Sequence, residues 1–285
     1  MDDEDRQEEG QVSDLQRHIA LLTEYDGSDF CGWQTQINGR TVQQTILQAL
    51  QKLTGDNELR LTGCSRTDAG VHATGHVSHF ATRCRIPADR LPLALNSHLP
   101  ADVAVRDARD VDAGFHARYQ ALGKIYSYRI WHDPCRPAYG RRQVCHVPGP
   151  LDLDLMCRAM PCLLGRHDFR AFMDAGSCER NPVRTLSRIS LNCRGPLIII
   201  RVQGDGFLYH MVRILTGTLL LVAQGKMPPE TMPDVLAGGS RKLAGKTMPP
   251  QGLCLEKVIY DPPLFAENDR PTAGEGDEYA SFTLE

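Results

Sequence analysis

One short segment of the sequence, GCSRTDAGVHATGHVSHF at residues 63–80, combines an acid, a base and three histidines. Gly70 and Gly75 disfavour a helix there, so we interpret it as a loop that places polar groups at a strand edge. Asp68 is its candidate carboxylate for covalent or proton-transfer chemistry. The alternative is that Asp68 caps its own turn, which is the commonest use of Asp beside Gly.

The same segment raises the question of a metal site. His72, His76 and His79 are spaced as H-x3-H-x2-H, close to Asp68. Two histidines four residues apart share a zinc ion when they lie on one face of a helix. Gly75 interrupts such a helix, and on a strand His76 and His79 point to opposite sides. The sequence therefore favours no bound metal, and a metal hydrolase is an alternative that metal analysis would test.

The flanking periodicity predicts the elements that position this segment. The first half has strands at residues 18–25, 58–63, 75–81 and 102–109, with helices from a capping box (Thr41 to Gln44) to Gly55 and at 88–98. The second half has strands at 124–131, 183–194, 197–204 and 253–260, with helices at 152–164, 207–224 and 229–237. Both halves follow the order β-α-β-β-α-β. The predicted fold class is α+β, with two ferredoxin-like (RRM-like) halves, helix-backed antiparallel sheets and a central cleft.

Charge and composition divide the chain into four parts. Residues 1–16 carry a net charge of −6 and residues 263–285 a net charge of −5. Both ends are predicted to be acidic disordered tails. Residues 17–111 form the predicted N-terminal half with the Asp68 segment, and residues 112–262 the C-terminal half. The body between the tails carries +8. That charge fits an anionic partner such as nucleic acid, although an ordinary solvated surface is the alternative.

The cysteines and the first residues suggest a cellular compartment. Ten cysteines are present, none of them as C-x-x-C or with zinc-ribbon spacing. The acidic opening MDDEDRQEEG lacks an apolar signal region, and the longest apolar run, Leu219–Ala223, is too short to span a bilayer. We therefore expect a cytoplasmic protein with reduced thiols.

Seven blocks of the sequence resemble the TruA-type tRNA pseudouridine synthase family. RTDAGVHA, which begins at Arg66, is similar to the family signature. The other blocks are YDGSDFCGWQ at 25–34, FHAR at 115–118, KIYSY at 124–128, LGRHDF at 164–169, FLYHMVRILTG at 207–217 and GL at 252–253. They occur in the family's order and cover nearly all of residues 18–262. Cys64-Ser65 departs from the family's usual small pair, but both residues are small and the loop should still fit.

The resemblance implies a pseudouridine synthase fold and a cofactor-free isomerase, a tRNA pseudouridine(38-40) synthase. Asp68 is then the catalytic nucleophile; whether it attacks C1′, attacks C6 or removes a sugar proton stays open. Arg213 is implied as the partner that holds Asp68 charged in a dry cleft. The alternative for Arg213 is a surface position, which its apolar neighbours disfavour.

The resemblance also implies residues that bind the substrate. Tyr126 would stack on the target base, although core packing on its strand is the alternative. Leu253 would wall the same pocket. Arg66 is suited to fill the gap that opens when the uridine flips out of its stack, because flipping costs a few kcal/mol.

The implied partner is the anticodon stem-loop of tRNA, bound across a homodimer. Candidate contacts to the RNA backbone are Arg118, Lys124, Arg141 and Arg142. A solvated charged surface is the alternative for each of them. The competing function is an RNA-binding module or tRNA chaperone in which the Asp68 loop performs no chemistry.

Overall fold

The protein is an α+β fold whose strands join in one large sheet; the computed structural model describes residues 16–176, 179–266 and 277–284. The elements of the first half are β1 (Arg17–Tyr25), α1 (Val42–Thr54), β2 (Thr62–Gly63), β3 (His72–Thr82), α2 (Leu91–Asn96) and β4 (Val103–Val111). The later elements are β5 (Gly123–Trp131), β6 (Cys145–His146), α3 (Leu153–Ala159), β7 (Gly165–Asp168), β8 (Val183–Arg194), β9 (Leu197–Gly204), α4 (Met211–Ala223), α5 (Met232–Gly238), β10 (Leu253–Ile259) and β11 (Asp277–Thr283).

The strand order of the sheet shows how the two halves are joined. The order is β11-β8-β9-β5-β10-β3-β1-β4, with β2 beside β3, β6 beside β5 and β7 beside β8. Most neighbours are antiparallel, but β10 is parallel to β3: Cys254 lies opposite His72, and Leu255 opposite Ala73. The other edge of β10 pairs with β5. The two sheets predicted from the sequence are therefore one sheet, because the last strand of the second half also pairs with the first half.

The backbones of β3 and β10 approach closely where β3 has no side chain. A Cβ at Gly75 would lie only 2.2 Å from the carbonyl oxygen of Glu256, so a larger residue would push the strands apart. Farther along, β3 pairs with β2, where His79 lies opposite Thr62. Residues 64–71 connect β2 to β3, and this loop therefore ends at the junction of the two halves.

Helix α4 is buried around almost its whole circumference, and only Arg213 and Leu221 along it are partly exposed. An all-round apolar helix belongs in the interior of a protein. A Cβ at Gly217 would lie 2.0 Å from the carbonyl oxygen of Lys246, so the chain before β10 crosses the helix at very short range. Among the described helices, none is long and apolar enough to cross a membrane.

The predicted strands and helices occur in the predicted order, but the structure adds β6, β7 and β11 and shifts several boundaries. The predicted strands at 183–194 and 197–204 have the bounds of β8 and β9, and Gly55 ends α1 in the left-handed conformation. The predicted capping box is wrong, because Thr41 makes no side-chain bond to the helix and its buried hydroxyl has no partner in the described part of the chain. Helix α4 begins at Met211 rather than at residue 207, because His210 has a φ of 62°.

The C-terminal tail also differs from the sequence-based prediction. Residues 277–283 of the predicted disordered segment 263–285 form β11, which pairs antiparallel with β8. Phe282 packs against the core, and the hydroxyl of Tyr279 donates to Asp154 at 2.6 Å. These aromatic residues and the open edge of β8 outweigh the acidic composition of the tail. The tail predicted at residues 1–16 lies outside the described residues, apart from Gln16.

Candidate active site

The carboxylate of Asp68 projects from the loop of residues 64–71. The chain that follows β1 packs closely against one side of this loop. The hydroxyls of Thr67 and Tyr25 lie 2.9 Å apart in the interior. Gly32 has a φ of +93°, and a Cβ there would lie 2.6 Å from the carbonyl oxygen of Thr67. This close approach holds the backbone beside Asp68, whose side chain remains 28% exposed and accessible to a ligand.

Asp68 lies beside Arg213, as the resemblance implies. Arg213 Nη1 donates to Asp68 Oδ2 at 3.3 Å, and Arg213 Nε donates to the carbonyl oxygen of Met248 at 2.6 Å. The guanidinium therefore contacts the carboxylate through one nitrogen rather than two, because its Nε is occupied by the backbone. Among the described residues, no backbone amide donates to the carboxylate of Asp68, so the geometry gives the turn-cap interpretation no support.

Two residues that the sequence analysis missed complete the surroundings of Asp68. His210 Nε2 lies 3.4 Å from Asp68 Oδ2, and His210 Nδ1 lies 2.8 Å from Asp174 Oδ2. His210 precedes Arg213 by three residues, which is the spacing of neighbours on one side of a helix. That spacing was a usable signal for His210. Nothing in the local sequence pointed to Asp174, whose position depends on long-range folding.

Tyr126 and Leu253 lie next to the Asp68 loop in neighbouring strands of the sheet. The hydroxyl of Tyr126 is 3.4 Å from that of Ser65, and its ring meets Phe207 edge to face with centroids 5.0 Å apart. Burial raises the pKa of Tyr126 far above its ordinary value, so the phenol remains neutral. Leu253 is buried at the start of β10, opposite Tyr128 in β5.

The predicted RNA-contacting side chains differ in their exposure and in whether another side chain already binds them. Arg66 and Arg141 are exposed and have no hydrogen bond or ion pair to any described side chain. Arg118 is also exposed and lies over the ring of Tyr119. Arg142 is bound to Asp29 at 2.7 Å, so an RNA phosphate would compete with a carboxylate. Burial lowers the pKa of Lys124, which is half-buried and therefore a poorer phosphate contact than the exposed arginines.

The three histidines of β3 have separate roles in the packing. His72 Nδ1 accepts from the amide of Gly27 at 3.1 Å, and His79 Nδ1 accepts from the amide of Ala117 at 3.2 Å. His76 stacks on Trp33 with ring centroids 3.6 Å apart. Within the ranges that the structure describes, no group of three or more His, Cys, Asp or Glu residues is arranged to hold a metal ion.

A partly exposed carboxylate, an arginine that pairs with it and a buried tyrosine ring, all at the junction of two halves, define a candidate enzyme site. The family model described as tRNA pseudouridine synthase matches residues 21–120 and 159–261. tRNA pseudouridine synthase A of Moorella thermoacetica is 48% identical over 244 residues, which cover 85% of this chain and 99% of the relative. The protein of that name from Acetivibrio thermocellus is 44% identical over 86% of this chain and its own full length.

A third relative, tRNA pseudouridine synthase A 2 of Clostridium perfringens, is 45% identical over 86% of this chain and all of its own. The first range matched by the family model includes the Asp68 loop, and the second includes Arg213. Tyr126 lies between the two ranges, within residues 18–262 that resemble the family. The chain belongs to the tRNA pseudouridine synthase family and is an isomerase of that class.

Proposed function

We propose that this protein isomerises uridine to pseudouridine in the anticodon stem-loop of tRNA, at positions 38, 39 and 40, with Asp68 as the catalytic carboxylate. The observation that supports this most directly is the position of Asp68. Its carboxylate is partly exposed and bound at one oxygen by Arg213, and its loop contacts Tyr126 through Ser65. The family membership and the tRNA substrates named for its relatives support the substrate class.

The reaction breaks the N1–C1′ bond of uridine, turns the uracil and joins its C5 to C1′. The product is an isomer of the substrate, so the net reaction adds no atom or electron and requires no cofactor. The carboxylate must lie against the ribose and base in a site that excludes water, because water would capture the reactive sugar. Asp68 acts as the nucleophile in this proposal, and both C1′ and C6 are within the chemistry of a carboxylate.

The neighbouring side chains have distinct parts in binding the flipped uridine. The ring of Tyr126 offers a face for stacking the uracil, and Leu253 walls the pocket. Arg66 has an exposed guanidinium two residues before Asp68, so it can enter the RNA stack where the base leaves. The exposed arginines Arg118 and Arg141 would bind phosphates of the stem-loop, with smaller contributions from Lys124 and Arg142.

We further propose that each half of the chain is a ferredoxin-like unit. The strand orders β2-β3-β1-β4 and β8-β9-β5-β10 are equivalent in the two halves and support this assignment. By resemblance to the family, the protein acts in the cytoplasm as a homodimer, with one tRNA bound across both subunits.

The experiment that tests the function is Asp68→Asn, which keeps the size of the side chain and removes its charge. We expect the variant to form no detectable pseudouridine in tRNA while it binds tRNA as the unmodified protein does. Pseudouridine would be mapped at positions 38–40 after incubation with unmodified tRNA, with exposed Asp89→Asn as the matched control. Full activity of Asp68→Asn would refute the mechanism. A wild-type protein that binds tRNA but modifies nothing would favour the binding-module alternative.

A further inference from the structure

The imidazole ring of His210 lies between two carboxylates. Its Nε2 faces Asp68 Oδ2 at 3.4 Å, and its Nδ1 faces Asp174 Oδ2 at 2.8 Å. An ionised carboxylate only accepts hydrogen bonds, so Nδ1 donates its proton to Asp174. Because both neighbours are acceptors, the ring bridges them fully only when both of its nitrogens carry protons. The side chain of His210 is only 16% exposed, so solvent cannot easily replace either contact.

Asp174 is itself fixed by the loop that precedes β10. Arg241 Nε donates to Asp174 Oδ1 at 2.7 Å, and the hydroxyl of Thr247 donates to Asp174 Oδ2 at 2.6 Å. Burial opposes ionisation of this carboxyl, but the hydrogen bonds from Thr247, Arg241 and His210 outweigh it and lower the pKa of Asp174 to about 2. Asp174 is therefore an anion that holds the ring of His210 in a single orientation.

The backbone of His210 adopts a conformation that its side-chain position requires. Its φ of 62° is the only positive φ of a non-glycine residue among those that the structure describes. Such a conformation is unfavourable for a non-glycine residue, so the surrounding contacts must hold it in place. The ring does not cap α4, because the residue makes no side-chain bond to the first amides of the helix. The strained residue instead directs its ring toward Asp68.

We propose that His210 is a positioning residue for Asp68, and this inference rests on the proposed function. Held by Asp174, its Nε2 contacts the same Oδ2 atom that Arg213 Nη1 binds. Contacts from two side chains to one oxygen restrict the rotation of the carboxylate. Asp68 Oδ1 has no partner among the described residues, so it is the oxygen turned toward the substrate. Asp174 acts on the reaction only through His210.

The first test is His210→Asn, because Asn tolerates a positive φ but is too short to reach both carboxylates. We expect the single-turnover rate at saturating tRNA to fall about 10- to 100-fold, the loss typical of a reacting group out of place. The affinity for tRNA and the thermal midpoint should stay at wild-type values. His210→Gln, whose amide can still donate toward Asp68, should retain more activity than His210→Asn. Exposed His98→Asn is the matched control and should be fully active.

A double-mutant cycle tests whether Asp174 acts through His210. Asp174→Asn should lower the single-turnover rate, and the double variant with His210→Asn should be no slower than His210→Asn alone. Residues in one network give such non-additive effects, whereas independent residues give additive ones. An unimpaired rate in His210→Asn, or additive losses in the cycle, would overturn the positioning role.

A readout that does not depend on activity separates this proposal from the proposed function. In protein labelled with ¹³C-histidine, the ring signal of His210 is identified by its absence in His210→Asn. We expect it to shift in Asp68→Asn and in Asp174→Asn, and to stay unchanged in Asp89→Asn. An unresponsive signal overturns the positioning role even if the wild type is fully active. A responsive signal in a protein that converts no uridine overturns the proposed function instead.

Discussion

At the scale of single residues, Arg213 connects the carboxylate of the site to the backbone of a distant loop. Its Nη1 binds Asp68 while its Nε binds the carbonyl oxygen of Met248, and the amide of Met248 in turn donates to the carbonyl oxygen of Arg213. The side chain is 12% exposed, so water compensates poorly for either bond. One arginine thus aligns three segments that are far apart in the sequence.

We expect Arg213→Ala to abolish pseudouridine formation and to lower the free energy of unfolding by about 1–3 kcal/mol, the usual cost of lost hydrogen bonds to a charged group. Arg213→Lys should be more stable than Arg213→Ala but have little activity, because one ammonium group cannot bind both Asp68 and Met248 as the forked guanidinium does. Urea unfolding and tRNA modification assays measure the two effects. Arg109→Ala, which removes an exposed arginine, is the control. An active Arg213→Ala enzyme would contradict the pairing argument.

Site residues can be predicted from the sequence where a motif contains them, but not where their role depends on tertiary contacts. The RTDAGVHA block led to Asp68, and HMVR led to Arg213. Asp174 was not found, because its partners are brought to it only by the folded loop before β10. Arg142 was expected to be free for phosphate, but Asp29, 113 residues away, pairs with it. No local pattern contains such a pairing.

At the scale of elements, strand β3 connects the Asp68 loop to the core through a buried histidine. His76 is completely buried, its Nε2 lies 3.0 Å from the carbonyl oxygen of Ser65, and its Nδ1 has no partner among the residues that the structure describes. Burial lowers the pKa of His76 to about 3, so the ring is neutral in the folded protein. In the unfolded chain the ordinary value of about 6.5 applies.

This difference predicts an acid-sensitive fold. Between these two pKa values the unfolded state binds a proton that the folded state does not, so stability is complete above about pH 6.5 and falls as the pH decreases toward 3. From pH 6.5 to 5, His76 accounts for a loss of about 2 kcal/mol. In His76→Gln the decrease in unfolding free energy over this range should be smaller by that amount, whereas exposed His98→Gln should behave as the wild type. If the curves of unfolding free energy against pH were parallel for all three proteins, the predicted contribution of His76 would be refuted.

The element boundaries show which local signals are reliable. The long β8–β9 hairpin was predicted to the residue because apolar strands surround an obvious Gly195-Pro196 turn. The β2 strand is much shorter than expected, because only Thr62 and Gly63 pair with β3. β11 was missed because its stability comes from an available partner edge rather than from its own acidic composition.

At the scale of the whole molecule, the basic body between acidic ends bears on how RNA is bound. Residues 17–262 carry a net charge of +8, while the complete chain carries −3. Exposed arginines on the body release counterions when they bind phosphates, which makes affinity fall with salt. The acidic ends lower the net charge of the chain, whereas the exposed arginines Arg66, Arg118 and Arg141 all belong to the basic body.

We expect tRNA affinity to fall steeply with salt and the slope of log affinity against log salt to shrink by about 0.7–0.9 for each phosphate contact removed. Arg141→Ala should lower the slope by about one such step while the catalytic rate at saturating tRNA is kept. Arg158→Ala, whose guanidinium is paired with Glu230, should leave the slope unchanged. Binding titrations at several salt concentrations measure this. An unchanged slope in Arg141→Ala would remove that residue from the RNA interface.

Because β10 lies near the end of the chain, its parallel pairing with β3 also determines when during synthesis the enzyme can become functional. Domains fold as they emerge, N-terminal parts first. A nascent chain that has reached residue 250 already contains Asp68, His210 and Arg213, yet β3 still lacks its partner at His72 and Ala73. Among the described strands, those of the two halves are joined in one sheet only through β10, so this link forms only when Leu253–Ile259 has been synthesised. Prematurely terminated copies therefore contain these side chains without the strand that links the two halves of the sheet, and we expect such copies to be inactive toward RNA.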